Sequence, residues 1–285
     1  MQVLVLSPRV APGILTLPAW DALRSASSVR ATVDDPHVRA IVSAGIPVEI
    51  VPEPTYDAGT VWIAPTGDTA WARSLADDLM GADGDAAEVE VVFGSYDLPG
   101  SALLDVVEVM DRLRRECPWT AQQSHASLSH YLLEEAHETL EALDNGDGEH
   151  LREELGDLLM QIVFHARIAA EGEGWDIDDV AAGIAEKLVY RNPHVFGDAE
   201  VSSAEEVDAA WQRLKATEKQ RTSPLEGIPA TLPALAYADK VVSRLGEVDA
   251  GGQDLGSRLL ALVVEAHASG VDAEEILRRT VRRLS

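Results

Sequence analysis

The sequence predicts a mainly α-helical protein, in which a helical module follows a small α/β domain and precedes a degenerate helical half-repeat. Three observations predict this fold class. Short β-branched apolar runs are confined to the first hundred residues, and apolar residues at helical spacing dominate after them. A ten-residue segment that begins at Glu154 returns in altered form from Asp254. We therefore expect three domains, over residues 1–100, 101–222 and 223–285.

The first domain is predicted to be α/β, with four short strands between segments rich in Ala, Asp and Ser. We find no glycine-rich phosphate loop after Leu6, so we assign this domain no activity. Residues 81–87 are predicted to form a loop. The four predicted strands span residues 2–6, 47–51, 60–64 and 89–93.

The rest of the chain is predicted to be helical, with an extended connector over residues 223–233 that holds three prolines. Ser127 and Ser203 are predicted N-caps, and Ser203 with Glu206 forms a capping-box pattern. The predicted helices span residues 101–116, 127–144, 150–171, 178–190, 203–220, 233–245 and 253–285.

The half-repeat is visible when two segments are aligned. Glu154-Leu-Gly-Asp-Leu-Leu-Met-Gln-Ile-Val corresponds to Asp254-Leu-Gly-Ser-Arg-Leu-Leu-Ala-Leu-Val. The second copy has Ser257 in place of an acid and Arg258 beside it. We therefore expect this copy to serve packing and not to form a second active site.

Composition and charge restrict the function. The 285-residue chain carries a net charge of −26, which argues against a nucleic-acid polymer as partner. A phosphorylated small molecule is compatible with this charge if a divalent cation bridges acid and phosphate. No apolar run approaches the length of a membrane span, and Val3 to Leu6 has no basic residue before it. With the single cysteine, Cys117, these features favour a cytoplasmic protein without membrane attachment.

The helix predicted from residue 127 carries acids on its apolar side. At 100° per residue, Leu128, Leu132, Thr139 and Leu143 fall within about 60° of one another and define a core stripe. Glu135 falls inside that stripe, Glu138 on its margin and Glu134 just beyond it. Because unpaired buried carboxylates repel one another and are costly, this helix needs a cation.

A solvated acidic face balanced by lysines four residues away is the alternative interpretation of this helix. It is weakened because no Lys or Arg lies between Glu116 and Arg152. The next predicted helix is apolar on most sides, so we expect it to be largely buried. Its single polar column favours a bound ion, although a satisfied core network is an alternative. That column consists of Glu154, Asp157, Gln161 and His165.

Two antiparallel helices with acids at i and i+3 present four or five oxygens to one cavity. Oxygen-only ligation favours Mg²⁺, with Mn²⁺ as a substitute, and Mg²⁺ is commonly shared with substrate phosphates. Lys187 and Arg191, four residues apart on the following helix, supply positive charge for phosphates. Compensation of the helix dipole is the alternative role for this pair.

At these residues the chain resembles the MazG family of nucleoside triphosphate pyrophosphohydrolases, within the all-α NTP pyrophosphatase superfamily. The resemblance extends from about Val106 to Arg244. Its motifs occur in the family's order: Cys117-Pro-Trp119 with Gln122 and His125, Glu134-Glu-x-x-Glu138, Glu154-x-x-Asp157, Gln161-Ile-Val-Phe-His-Ala166, and Lys187 with Arg191-Asn-Pro-His-Val-Phe196.

The resemblance implies hydrolysis of NTP or dNTP to monophosphate and pyrophosphate, with Mg²⁺ bound by Glu135, Glu138, Glu154 and Asp157. Glu134 is then an additional ligand or the general base. Lys187 and Arg191 are implied to hold the phosphates. Trp119, Gln122 and His125 are implied to line the nucleotide end, and core packing is the alternative for Trp119.

Two other classes of function stay open. Glu134-x-x-His137 matches one element of a di-iron carboxylate bundle, although we find no second such element. A non-catalytic regulator that binds nucleotide is the other alternative. We also expect a homodimer, because the acidic helix pair has a wide apolar face that the half-repeat is too short to cover.

Overall fold

The computed structural model describes residues 1–80, 89–219 and 223–284. It divides into two compact units, Met1–Gln123 and Ser124–Ser285. The described residues form thirteen helices and one small parallel sheet near the N-terminus, so the predicted mainly α fold with an α/β beginning is confirmed. The division into three domains stays a prediction. The loop predicted over residues 81–87 lies outside the described residues.

The first unit is built around a parallel five-stranded sheet in the order β3-β2-β4-β1-β5. Both faces of the sheet are covered, so β1 is apolar from Val3 to Val5 and these side chains alternate between two cores. Leu4 packs with residues of α1 and α2, and Val3 packs with residues of α3. The elements are β1 (Gln2–Val5), α1 (Leu17–Ser25), β2 (Ser28–Ala31), α2 (Pro36–Ser43), β3 (Glu49–Ile50), β4 (Thr60–Ile63), α3 (Thr69–Met80), β5 (Glu90–Phe93), α4 (Ala102–Glu116) and α5 (Pro118–Ala121).

The prediction of four strands is wrong, because β2 was not recognised. Its sequence, Ser-Val-Arg-Ala, alternates polar and apolar residues over only four positions, with Val29 and Ala31 buried. Arg30 of β2 forms ion pairs with Glu49 and Asp57. The strand predicted over residues 47–51 is shorter than expected and contains only β3.

The second unit is helical throughout its described residues. In neither unit does the described part of the chain contain a helix that is long and apolar enough to cross a membrane. Its helices are α6 (His125–Asn145), α7 (Gly148–Ala169), α8 (Ile177–Arg191), α9 (Pro193–Phe196), α10 (Ala204–Lys219), α11 (Ala234–Leu245), α12 (Leu255–Ala268) and α13 (Ala273–Arg282).

Both predicted N-caps differ in detail. Ser124, not Ser127, caps α6, and the two serines form a reciprocal capping box. The predicted start was therefore late, because Ser127 occupies the third helical position. At α10 the Ser203 hydroxyl accepts from the Glu206 N–H as expected, but the Glu206 carboxylate accepts from Ser202.

The helix predicted over residues 253–285 is two helices in the structure. Gly270, with φ of 68°, adopts the left-handed conformation that ends α12. Asp272 then caps α13 by accepting from the N–H of Glu275. Asp144 of α6 receives hydrogen bonds or ion pairs from two arginines of α13, Arg278 and Arg282, so the last helix is tied to the acidic helix.

Burial of α6 and α7 is less complete than the apolar pattern suggested. Leu128 and Thr139 are buried, but Leu132 and Leu143 of the same stripe are exposed. On α7, which was expected to be buried on most sides, Leu155 is exposed. A helix packed mainly along one neighbour buries one side only, so the other apolar side chains stay accessible. The homodimer that would cover them stays a prediction.

Candidate metal and nucleotide site

The acidic residues are positioned by a tight helical hairpin. Two residues, Gly146 and Asp147, connect α6 to α7. Gly146 has φ of 69° and ends α6, and Asp147 caps α7 by accepting from the N–H groups of Glu149 and His150. Such a short connection makes the helices antiparallel, so the acids of α6 lie opposite those of α7.

Three carboxylates from the two helices meet. One oxygen each of Glu135, Glu154 and Asp157 lies within 4.8 Å of the others. Glu154 is only 6% exposed, and its Oε1 lies 2.8 Å from Nε2 of His150. Its Oε2 is buried and has no hydrogen-bond partner among the residues that the structure describes. The cluster therefore contains an acceptor oxygen that the described protein leaves unsatisfied.

The electrostatics of Glu135 reflect this crowding. Burial raises the pKa of its carboxyl, and the charges of Asp157, Glu138, Glu154 and Glu134 raise it further. Glu134 and Glu138 are themselves exposed on α6. All five predicted acids thus act on one region, although only three have oxygens in the tight cluster.

The donor set fits a hard divalent cation. It consists of carboxylate oxygens on two facing helices, and one buried oxygen has no hydrogen-bond partner among the described residues. A cation would remove the repulsion that raises the pKa of Glu135 and would satisfy Glu154 Oε2. These properties favour Mg²⁺ or Mn²⁺ over metals that prefer nitrogen or sulfur ligands.

The two predicted phosphate ligands on α8 differ in environment. Lys187 is exposed, whereas Arg191 is 6% exposed. Arg191 donates through Nε and Nη2 to Glu218 Oε2, at 3.0 and 2.7 Å, and its guanidinium lies over the Trp211 ring. Sequence reasoning missed Trp211 and Glu218. Their contact with Arg191 is remote in sequence, so spacing on α8 alone gives no sign of it.

The residues predicted at the nucleotide end fall in both units. Trp119 and Gln122 belong to the first unit and are exposed, so their roles stay predictions. His125 opens α6, and its Nδ1 lies 2.6 Å from Nδ1 of His165 on α7. Its Nε2 is buried and lies 3.1 Å from Glu173 Oε1, an ion-pair distance without hydrogen-bond geometry. Sequence reasoning placed His165 in the polar column but missed its contact with His125 and the position of Glu173.

The polar column of α7 continues away from the carboxylates. Gln161 is 3% exposed, and its Oε1 is buried without a hydrogen-bond partner in the described part of the chain. The same holds for Nε2 of His165. Together with Glu154 Oε2, three buried polar atoms along one helix lack described partners. Such atoms usually mark a bound molecule or ordered water.

Comparison with known proteins bears on this region. The family model of the MazG nucleotide pyrophosphohydrolase domain matches residues 123–196. A Streptomyces cacaoi protein described as "Uncharacterized 26.1 kDa protein in blaB 3'region" is 50% identical over 203 residues, which cover 68% of this chain and 84% of the relative. The nucleoside triphosphate pyrophosphohydrolase of Mycolicibacterium smegmatis is 36% identical over 233 residues, covering 77% of this chain and 71% of that protein.

Among solved structures, a mazG-related protein from Thermotoga maritima is 30% identical. The match covers 39% of this chain and 97% of that one, with a TM-score of 0.35.

Proposed function

Because this chain belongs to the MazG family of nucleotide pyrophosphohydrolases, we propose that it hydrolyses nucleoside triphosphates to monophosphates and pyrophosphate. The substrates are NTPs or dNTPs, water attacks the α-phosphorus, and the role is housekeeping of the nucleotide pool. The observation that carries the proposal is the cluster of Glu135, Glu154 and Asp157, with a buried carboxylate oxygen that lacks a described partner.

The proposed cofactor is Mg²⁺, for which Mn²⁺ can substitute. Its ligands are Glu135, Glu138, Glu154 and Asp157, and His150 holds the second carboxylate oxygen of Glu154 in place. When bound, the metal neutralises triphosphate charge and lowers the pKa of a water molecule.

Glu134 is the proposed proton acceptor. It is adjacent to Glu135 and exposed on α6, so its carboxylate is open to the attacking water. General-base catalysis of this kind requires only that one carboxylate oxygen reach the proton that the water loses. The resemblance leaves a ligand role for Glu134 open. Loss of Glu134 would weaken metal binding if it is a ligand and would leave metal affinity unchanged if it is only the proton acceptor.

Phosphate binding is assigned to α8. The exposed ammonium of Lys187 is free to follow the leaving pyrophosphate. Arg191 uses Nε and Nη2 on Glu218, which leaves Nη1 to donate to a phosphate oxygen. Glu218 and Trp211 thus fix the guanidinium plane, and this limits the entropy that binding would otherwise cost.

No observation favours the di-iron alternative. Within the described ranges, the carboxylate cluster includes no histidine ligand, and His137 is exposed on α6. The non-catalytic regulator becomes an outcome of the experiment below.

The test is incubation with a panel of NTPs and dNTPs plus Mg²⁺, followed by separation of pyrophosphate from orthophosphate. We expect monophosphate with pyrophosphate, and loss of turnover when the metal is chelated. Diphosphate with orthophosphate would mean attack at the γ-phosphorus and would overturn the mechanism. Binding without turnover would replace the enzyme with the nucleotide-binding regulator, and iron in the purified protein would favour the di-iron bundle.

A further inference from the structure

The unsatisfied polar atoms on α7 lie beyond the metal ligands in a definite order. From Asp157, Gln161 is one helical turn further along α7, about 6 Å, and His165 is about 12 Å along the axis. Buried polar groups in proteins almost always have hydrogen-bond partners. Gln161 Oε1 and His165 Nε2 have none among the described residues, so we expect a bound molecule to provide them. An elongated polar ligand that starts at the carboxylates would supply them in sequence.

The hydrogen-bonding character of His165 follows from its neighbours. The ring planes of His125 and His165 are within 4° of parallel, with their Nδ1 atoms 2.6 Å apart. One of these two nitrogens must donate and the other accept. The carboxylate of Glu173 lies 3.1 Å from Nε2 of His125 without hydrogen-bond geometry, and its negative charge favours a proton on that nitrogen.

In the neutral pair this charge favours one tautomer of each ring. His125 carries its proton on Nε2, so its Nδ1 accepts from the Nδ1–H of His165. His165 then has a lone pair on Nε2. Burial and the neighbouring His125 lower the pKa of His165, which keeps that ring neutral. The Nε2 of His165 is therefore a buried acceptor to which no group in the described part of the chain donates.

We propose that Gln161 and His165 recognise the nucleoside part of the substrate. Gln161 bonds a sugar hydroxyl, and His165 Nε2 accepts from the exocyclic amino group of a base such as cytosine or adenine. This inference rests on the proposed function, because it requires the α-phosphate at the carboxylates. His125 and Glu173 are positioning residues, which act by holding His165 in its acceptor tautomer.

Two further features agree with a base at the His165 end of the polar column. The order of ligands along α7, carboxylate, amide and imidazole, follows the order of phosphate, sugar and base in a nucleotide. The Trp175 ring lies 6.2 Å from the His125 ring and is inclined to it by 20°, which provides flat aromatic surface beside the partner ring of His165. Aromatic side chains of this kind stack on nucleobases of any sequence.

The test compares substrates that differ only in an amino group. For wild type we expect higher kcat/KM for dCTP than for dUTP, and for dATP than for dITP. His165→Phe keeps a ring but removes the acceptor, so both ratios should fall by about 3- to 10-fold, the effect of one hydrogen bond. His130→Phe is the matched control, because His130 is exposed on α6 and contacts Tyr131 rather than the column.

The outcomes separate this inference from the proposed function. If His165→Phe releases pyrophosphate with unchanged ratios, the inference is wrong and the proposed function stands. If wild type releases no pyrophosphate from any nucleotide, the proposed function is wrong. Calorimetry with dCMP and dUMP then decides the inference, since tighter binding of dCMP that His165→Phe abolishes would support it and equal binding would overturn it.

The tautomer can be measured without substrate. Nitrogen-15 NMR of the imidazoles in chelator-treated protein should show an unprotonated Nε2 on His165 and a protonated Nε2 on His125. A protonated Nε2 on His165 would contradict the inference, even if the Phe variant failed to fold. Glu173→Ala should allow both tautomers and lower the dCTP to dUTP ratio, whereas a purely structural role would change stability and leave that ratio unaltered.

Discussion

Helices α7 and α12 carry the same apolar pattern but differ in their polar positions. Val163 and Val263 occupy aligned positions, and both are buried. Leu155 and Leu255 are likewise aligned, and both are exposed. The extent of packing differs, because α7 buries six of its residues and α12 buries only Val263.

The polar column is where the copies diverge. Glu154 of α7 is buried, and its Oε2 has no hydrogen-bond partner within the described ranges. Its counterpart Asp254 is the N-cap of α12 and accepts from the N–H of Ser257. That hydrogen bonding lowers the pKa of Asp254, whereas burial and the neighbouring carboxylates raise the pKa of Glu135. The remaining column positions, Asp157, Gln161 and His165, correspond to Ser257, Ala261 and Glu265. The second copy thus keeps apolar residues at aligned positions and lacks the polar residues of the column.

The largest expected effect is on activity, when a residue of α7 is changed to its counterpart in α12. Asp157→Ser should reduce pyrophosphate release by at least roughly 100-fold, since even partners of metal ligands commonly cost 10- to 100-fold. The measurement is kcat/KM with saturating Mg²⁺, with circular dichroism to establish that the variant is folded.

The reciprocal change, Ser257→Asp, is the control and should add no activity, because Asp254 is already used as a cap. Wild-type turnover in folded Asp157→Ser would remove Asp157 from the proposed site.

A second change tests whether the acid of the second copy is purely structural. Asp254→Ala should lower the free energy of unfolding by about 0.5–2 kcal/mol through loss of the N-cap, and kcat/KM should not change. Urea denaturation measures the loss, and Asp254→Ser should recover most of it. Glu247→Ala, at an exposed acid outside the helices, is the matched control. A fall in activity comparable with that of Asp157→Ser would mean that the second copy takes part in the reaction.

The smallest expected effect is on the stability of the metal-free protein. The pKa of Glu135 is raised in the folded state, first by burial and then by neighbouring carboxylates. Its protonated form therefore favours folding at low pH, and this advantage is lost as the pH rises through the raised pKa. Glu135→Gln should melt above wild type at neutral pH in chelator, and the difference should vanish in acid.

Thermal melts across this pH range measure the effect, at about 2–4 °C for each kcal/mol in a domain of this size. Glu141→Gln, at an exposed acid of the same helix, should show no such pH-dependent difference. Excess Mg²⁺ should reverse the order of wild type and Glu135→Gln, because the variant lacks a ligand. Equal melting temperatures in chelator at all pH values would contradict the raised pKa of Glu135.

The acid cluster was predictable because its residues follow helical periodicity on two adjacent helices. Glu154 and Asp157 share a face by their spacing alone, and the short connection between the helices determines which residues they meet. The break at Gly270 also had a local signal, a glycine followed by a capping aspartate, that the predicted single helix overlooked.

Contacts between distant parts of the chain were not predictable in this way. His125 and His165 are separated by 40 positions, and Arg191 and Glu218 by 27. Periodicity on one helix specifies direction but not the residue that another helix brings opposite. The exposure of Leu132 and Leu155 was missed for the same reason. An apolar residue in a sequence indicates that its burial would be favourable, but not whether a neighbouring element covers it.

The two-residue connection between α6 and α7 also bears on the order of folding. Glu135 and Glu154 are only nineteen positions apart in the chain, so closing the segment between them costs little chain entropy. We expect contacts this local to form early in folding. The carboxylates of the hairpin can therefore come together before the remaining helices pack. A cation that binds at that stage would stabilise the hairpin as a folding nucleus.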